Sequence, residues 1–228
     1  MAKNQSRPLS QTLYFMMRKE TVLMAQAHPD ISAREAQAGQ LPDQMPHPDG
    51  GTEGVVITDL SACGKVNLRC APNASSQLIK FLGAALPDTP NMVIKSGQRR
   101  VIWLGPDEYL VLVKAGEEDS LSSVISGALA SQHHAATIVT DALACLQLDG
   151  PAARDLLAKG CALDLHDTKF TPRMCAQTLL ASASITLLCE ADTSFRIICR
   201  TSFLDYVMAW LKDAACEYGY HVTPKSGS

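Results

Sequence analysis

The sequence is short of the features that most often announce a function. Of its 228 residues only 5% are aromatic and 19% charged. The 20 basic and 23 acidic residues nearly cancel, leaving a formal charge of −3. That balance excludes a broad phosphate-binding surface. No apolar run approaches the roughly 20 residues that a helix needs to cross a bilayer. Leu13, Tyr14, Phe15, Met16 and Met17 are followed at once by Arg18-Lys19-Glu20. A secretory signal places its charge before the apolar run, so a cytoplasmic chain is expected.

Chemical motifs are equally scarce. Gly50-Gly51 and Gly83 stand outside any G-x-G-x-x-G frame, and no serine sits in a nucleophile elbow. Eight cysteines are present, without a C-x-x-C pair or zinc-ligand spacing. They are expected to be small buried hydrophobes in a reducing compartment. Neither a catalytic, a cofactor-binding nor a metal-binding residue is expected in this chain.

What is present is a faint duplication. Val56-Ile57-Thr58-Asp59, then Val66-Asn67-Leu68, then Pro72 precede a helix-like segment. Ile138-Val139-Thr140-Asp141, then Leu146-Gln147-Leu148, then Pro151 precede another. Each copy continues as an apolar strand meander and a second amphipathic helix. Leu78, Phe81, Leu82 and Ala85 share one helical face, as do Leu121, Val124, Ile125, Ala128 and Leu129. Phe203, Val207, Trp210, Leu211 and Ala214 form a third stripe, with Ser202 and Asp205 placed as a capping box. Asn73 or Ser75 would cap the first helix, and Gly160 would end the one after Pro151.

Helices returning onto largely antiparallel sheets imply an α+β fold of two tandem split β-α-β half-domains. The expected division is an extended N-terminal arm with a possible short helix (1–53), two half-domains (54–140 and 141–222), and a tail (223–228). The proline- and glycine-rich stretch 37–51 opposes regular structure. Leu13, Phe15, Met16 and Met17 are costly to leave in water, which suits an arm lying along a partner.

Several stretches carry a family resemblance. These are Trp103-Leu104-Gly105-Pro106-Asp107-Glu108-Tyr109-Leu110, Leu146 to Leu157, Leu163-Asp164-Leu165, and Cys199-Arg200-Thr201-Ser202-Phe203 with Trp210-Leu211. In order and spacing they resemble the gamma subunit of heterotetrameric sarcosine oxidase, and the related gamma-like subunit of N-methylglutamate dehydrogenase. The resemblance implies a fold like the folate-binding aminomethyltransferase of the glycine cleavage system. It implies an accessory chain in a flavin-dependent complex that oxidatively demethylates sarcosine or another N-methyl amino acid. Alpha, beta and delta subunits would be its partners, and FAD, FMN, NAD, zinc and tetrahydrofolate would be held by those other subunits. A stand-alone folate-dependent aminomethyltransferase, or a folate-binding assembly factor, is the alternative.

Individual residues are weighed against that frame. Lys159-Gly160-Cys161 is similar to the K-G-C of folate-binding relatives, but Ala162-Leu163-Asp164 replaces the G-Q-E that should follow. Asp59 and Asp141 occupy matching repeat positions and suit turn-capping. His133-His134 point about 100° apart on a helix and make an awkward metal pair. His166 with Asp164 and Asp167 lacks ligand spacing. Trp103 and Trp210 are expected as core anchors. Arg154 and Arg200, with Phe15, Met16 and Met17 of the arm, are the candidate interface residues; for Arg200, which follows an apolar strand, a carboxylate partner inside the chain is favoured over one on a neighbouring subunit.

Overall fold

The computed structural model describes residues 41–223. Twelve strands form two sheets. The strands are β1 (Gln44–Met45), β2 (Val55–Asp59), β3 (Gly64–Cys70), β4 (Val93–Ser96), β5 (Arg99–Gly105) and β6 (Glu108–Val113). They continue as β7 (His134–Ile138), β8 (Leu143–Asp149), β9 (Cys175–Leu180), β10 (Ala183–Ala191), β11 (Ser194–Arg200) and β12 (Tyr220–Thr223). The helices are α1 (Ser75–Leu82), α2 (Glu118–Ala128), α3 (Ala153–Ala158) and α4 (Leu204–Ala215). One sheet runs β4-β5-β6-β3-β7 and the other β1-β12-β2-β8-β11-β10-β9.

The apolar pattern explains the layering. Alternate residues of the five-stranded sheet, such as Val66, Leu68, Val101 and Val111, pack with Leu78 and Leu82 of α1 and Leu121 and Ile125 of α2. Those of the seven-stranded sheet pack with Leu156 and Leu157 of α3 and Val207 and Leu211 of α4. The intervening residues face the other way and meet between the sheets: Ile102, Leu110 and Leu112 against Cys145, Cys175, Leu188 and Ile198. The result is helix, sheet, sheet, helix. It accounts for continuous apolar strands such as Tyr109-Leu110-Val111-Leu112-Val113, all buried, because strands covered on both faces lose the usual polar alternation.

The duplicated copies interlock through their leading strands. β2, at the head of the first copy, pairs antiparallel with β8 of the second, Ile57 opposite Leu148. β7, ahead of the second copy, pairs antiparallel with β3 of the first, Val66 opposite Ile138. The pairings of β2 therefore cross position 140/141, whereas β3–β7 lies wholly within 54–140. The second copy also gains a final strand that periodicity did not reveal. β12 runs parallel to β2, with Tyr220 opposite Val55.

Residues 41–49 of the expected arm are part of this fold. β1 pairs with β12, and Tyr220 Oη donates to the Pro42 carbonyl at 2.8 Å. Lys212 Nζ reaches Asp43 Oδ1 at 2.7 Å. These contacts come from residues 178 and 169 positions away, which no local pattern announces. Phe15, Met16 and Met17, and the helix expected over Leu9 to Met24, lie outside the described residues.

Helix ends depart from the expected caps. A 3-10 turn, Pro72–Ala74, precedes α1, so Ser75 Oγ accepts from Leu86 N at 2.8 Å instead of capping the helix. Gly83, left-handed at φ +74°, ends α1, a conformation that costs glycine little. A second 3-10 turn, Thr201–Phe203, precedes α4, and no side-chain cap forms there. Phe203 is consequently exposed and not part of the buried stripe. Trp103 and Trp210 are half-buried; the largest fully buried side chains are Tyr109, Tyr220, Lys65 and Phe195.

Lys65 holds the place where the chain changes sheets. Its amine is fully buried and donates to the carbonyls of Ser61 (2.8 Å), Cys63 (2.8 Å) and Thr140 (3.4 Å). The first two belong to the β2–β3 crossover and the third to the β7–β8 crossover. Its backbone joins them as well: Lys65 N donates to Thr140 Oγ1 at 3.0 Å, and Val139 N donates to Lys65 O at 2.8 Å.

Glu190 is a second tie between the sheets. Its carboxylate side chain, 7% exposed, pairs with Lys95 of β4 (2.5 Å) and Arg100 of β5 (3.0 Å), with Arg196 of β11 at 3.7 Å. Burial alone would raise the Glu190 pKa. Hydrogen bonds from Arg100 and Lys95, and the charges of Arg196 and Arg100, win and hold it below the ordinary glutamate range.

Two stability predictions follow from these ties. K65M should lower the urea-unfolding free energy by on the order of 3 kcal/mol, since three buried carbonyls lose a charged donor; an unchanged midpoint would refute the role given to Lys65. Glu190 has a depressed folded pKa, so its contribution is complete above the unfolded value near 4.3 and is lost as pH falls through the folded value. Thermal midpoints between about pH 3 and 6 should therefore fall less steeply for E190Q than for the parent chain.

Candidate functional site

Lys159, Gly160 and Cys161 lie where α3 ends against α4. Lys159 Nζ donates to the Ala214 carbonyl at 2.6 Å, pairs with Glu217, and sits 4.5 Å from the Tyr218 ring centroid. A Cβ at position 160 would collide with the Trp210 ring, so glycine is required by the close approach of that indole. Gly160 is thus a packing position after the helix, not a left-handed cap. Cys161 is buried, with Sγ 3.8 Å from Thr178 Oγ1. Lys159 and Gly160 are committed to the α3–α4 joint and Cys161 to strand β9, which does not fit a folate-holding role.

The remaining sequence candidates are placed as follows. Asp59 Oδ1 accepts from Ser61 N at 2.8 Å, the Asx turn expected of it. Asp141 is exposed, and its backbone carbonyl accepts from Thr201 Oγ1 at 2.7 Å. His134 opens strand β7 opposite Cys70, so the helix-end reading of His133-His134 gives way to a strand start. His166 Nδ1 stays with its neighbours Thr168 Oγ1 (2.9 Å) and Asp167 Oδ1 (3.0 Å). Among the described residues no three His, Cys, Asp or Glu converge as metal ligands.

The two candidate arginines have different fates. Arg154 is engaged within the chain. Its guanidinium donates to the carbonyls of Leu165, Phe170 and Asp192 and lies 5.0 Å from the Phe195 ring centroid. Arg200 is exposed and makes no ion pair among the described residues.

Arg200 stands on the rim of a cleft of about 1040 Å³, which opens between the two sheets. The five-stranded sheet contributes Asn67, Glu108 and Leu110; the other contributes Gln177, Ile198 and Arg200. Asn67 Nδ2 donates to Glu108 Oε1 at 2.9 Å and Gln177 Nε2 to the Leu104 carbonyl at 2.8 Å, which fixes the polar rim. Leu179, 52% exposed, lies at the same mouth. The Glu190 cluster closes the opposite end of the β10–β11 pair, where Ala191 meets Ser194; Ile185 and Cys199 face each other at the cleft end. The cleft offers one unpaired cation, an apolar lip and a hydrogen-bonding rim. It contains no nucleophile with an adjacent base.

Sequence reasoning passed over Glu190, Lys65 and Arg196. The signal was available: each is one charge inside an apolar strand, as in Leu187-Leu188-Cys189-Glu190 and Phe195-Arg196-Ile197. Which charges meet is a matter of sheet packing and had no local trace.

No helix among the described residues is long and apolar enough to cross a membrane. Residues 69–217 match the family model described as sarcosine oxidase, gamma subunit family. The sarcosine oxidase subunit gamma of Corynebacterium sp. (strain P-1) is 30% identical over 191 residues, 82% of this chain and 92% of that protein. The corresponding subunit of Corynebacterium sp. (strain U-96) is 31% identical over 171 residues, 74% and 82% of the two chains. A chain of heterotetrameric sarcosine oxidase from Corynebacterium sp. U-96 superposes with a TM-score of 0.69 at 28% identity, over 82% of this chain and 91% of that one. Aminomethyltransferase T of the glycine cleavage system from Bartonella henselae shares the fold, with a TM-score of 0.57 at 12% identity over 78% of this chain and 52% of its own. The α+β architecture is thus that of the aminomethyltransferases, and the chain belongs to the sarcosine oxidase gamma subunit family.

Proposed function

We propose that this chain is the accessory, non-catalytic gamma-type subunit of a multi-subunit, flavin-dependent oxidoreductase that oxidatively demethylates sarcosine or another N-methyl amino acid. It acts in the cytoplasm as a structural partner of alpha, beta and delta subunits. FAD, FMN, NAD, zinc and tetrahydrofolate belong to those other chains. The observation that carries the reading is the match along nearly the whole length of proteins that are themselves gamma subunits. The commitment of Lys159 and Gly160 to the α3–α4 joint, and of Cys161 to β9, supports it against a stand-alone folate enzyme.

The docking surface in this proposal is the mouth of the inter-sheet cleft. Arg200 offers a charge with no partner in the described chain, and Leu179 and Phe203 offer exposed apolar area nearby. A segment of a larger subunit carrying a carboxylate for Arg200 is the complementary occupant. Phe15, Met16 and Met17 would extend the contact. Arg154 would help only by holding its own loop in shape.

The test is co-expression with the products of neighbouring genes, followed by measurement of mass and of N-methyl amino acid oxidation. A stoichiometric, active complex is expected. R200E should weaken assembly by about tenfold or more, and the isolated variant should melt as the parent does. Removal of residues 1–40 should likewise weaken assembly and leave the melting temperature unchanged. A monomer that ignores its co-expressed neighbours and binds tetrahydrofolate tightly would overturn the proposal in favour of a folate enzyme.

A further inference from the structure

A second cleft, about 530 Å³, opens beside the β2–β3 crossover. Its lining includes Cys63, Arg100, Arg196 and Lys114. Cys63 is half-buried in the turn, and Cys145 is fully buried on the adjoining strand β8. Backbone bonds hold the two segments together: Leu60 N donates to the Cys145 carbonyl at 2.8 Å, Cys145 N donates to Ser61 Oγ at 3.1 Å, and Cys63 N donates to the Leu60 carbonyl at 3.0 Å. Both side chains belong to the same apolar cluster between the sheets. The buried Lys65 ammonium lies under the same turn, 2.8 Å from the Cys63 carbonyl. The cationic groups around this turn are Lys65, Lys95, Arg100, Lys114 and Arg196; Glu190 pairs with Lys95, Arg100 and Arg196, and the Asp59 and Glu118 carboxylates lie against the Ser61 and Gly64 ends of the turn.

This arrangement differs from that of the other cysteines. Cys70, Cys175 and Cys199 are buried in apolar surroundings, which raises their pKa and leaves them inert. The hydrogen bond with Cys145 lowers the Cys63 pKa; burial opposes this, and the charges of Lys65 and Arg196 reinforce it. The same contact and deep burial push Cys145 the other way. Cys63, the thiol with the lowered pKa, meets the cleft, and Cys145, with the raised one, is fully buried on the adjoining strand.

We infer that Cys63 is a hydroperoxide-reactive thiol, and that Cys145 resolves its oxidised form into an intramolecular disulfide. The Cys63 thiolate attacks the terminal oxygen of a hydroperoxide. An S–O bond forms, the O–O bond breaks, and the leaving alkoxide takes up the proton lost when Cys63 ionised. Sulfur is oxidised by two electrons and the peroxide is reduced to the alcohol, or to water for hydrogen peroxide. Cys145 sulfur then attacks the Cys63 sulfenic acid; the S–S bond forms, the S–O bond breaks, and water leaves with the Cys145 proton. The cross-link would join the β2–β3 crossover to β8, two segments already fixed side by side by their backbone bonds. The inference stands on this cleft alone and is independent of the proposed function.

The experiment uses the full-length reduced chain, exposed to a small excess of hydrogen peroxide, quenched, and unfolded for thiol counting and peptide mapping. The eight thiols should fall to six, with one linked peptide pair joining Cys63 to Cys145. C145S should instead accumulate a Cys63 sulfenic acid that dimedone traps, and C63S should keep its seven thiols under the same exposure. The wild-type peptide map decides the matter without either variant. Eight retained thiols, or a disulfide that maps to any other pair, would overturn the inference.

Discussion

Everything in this fold turns on the buried amine of Lys65. The chain changes sheets twice, once between β2 and β3 and once between β7 and β8. Both turns bring unpaired carbonyls into the interior, where each would cost about 1–3 kcal/mol if left without a donor. One ammonium, with its three donors, serves carbonyls of both turns. The geometry suits lysine: the stem lies in the apolar layer and the head meets carbonyl oxygens only. Without that meeting point, neither copy of the duplicated unit could lend its leading strand to the other.

The exchange of leading strands changes what the duplication means. Two tandem half-domains would each be closed, with one interface between them. Here β2, which leads the first copy, is built into the sheet of the second, β7 completes the five-stranded sheet of the first, and the backs of both sheets are buried against one another. The inter-sheet layer is apolar along its length and tied at one end by Glu190 with its arginine and lysine partners. At the other end it opens as the large cleft bearing Arg200. An aminomethyltransferase-like architecture is kept, while Lys159, Gly160 and Cys161 serve packing. That combination suits a chain whose work is to present a surface.

Much of the local structure was legible. Leu78 with Leu82, Leu121 with Ile125, and Val207 with Leu211 announced three helix faces by their spacing, and each pair is buried. The strands around Val101, Tyr109, Ile185 and Phe195 were equally plain. Caps were read less well. Ser75 and Ser202 have the right chemistry, but a 3-10 turn shifts each helix start, and the Ser75 hydroxyl accepts from Leu86 N instead. The candidate site divided in the same way. Among the described residues, Arg200 closes its strand without the internal carboxylate that its sequence position favoured, and the engagement of Arg154 depends on Leu165, Phe170 and Asp192, which only folding brings near.

The sequence by itself determined the periodicities, the duplicated order of elements and the family, because these rest on near-neighbour spacing along the chain. Tertiary structure alone decided that the leading strands are exchanged, that β1 closes on β12, and that Lys65, Glu190 and Cys63 meet their partners. Those choices depend on contacts between residues as far as 178 positions apart. Such contacts form when the apolar backs of two sheets are driven together, and the buried carbonyls and carboxylate must then find donors across that interface.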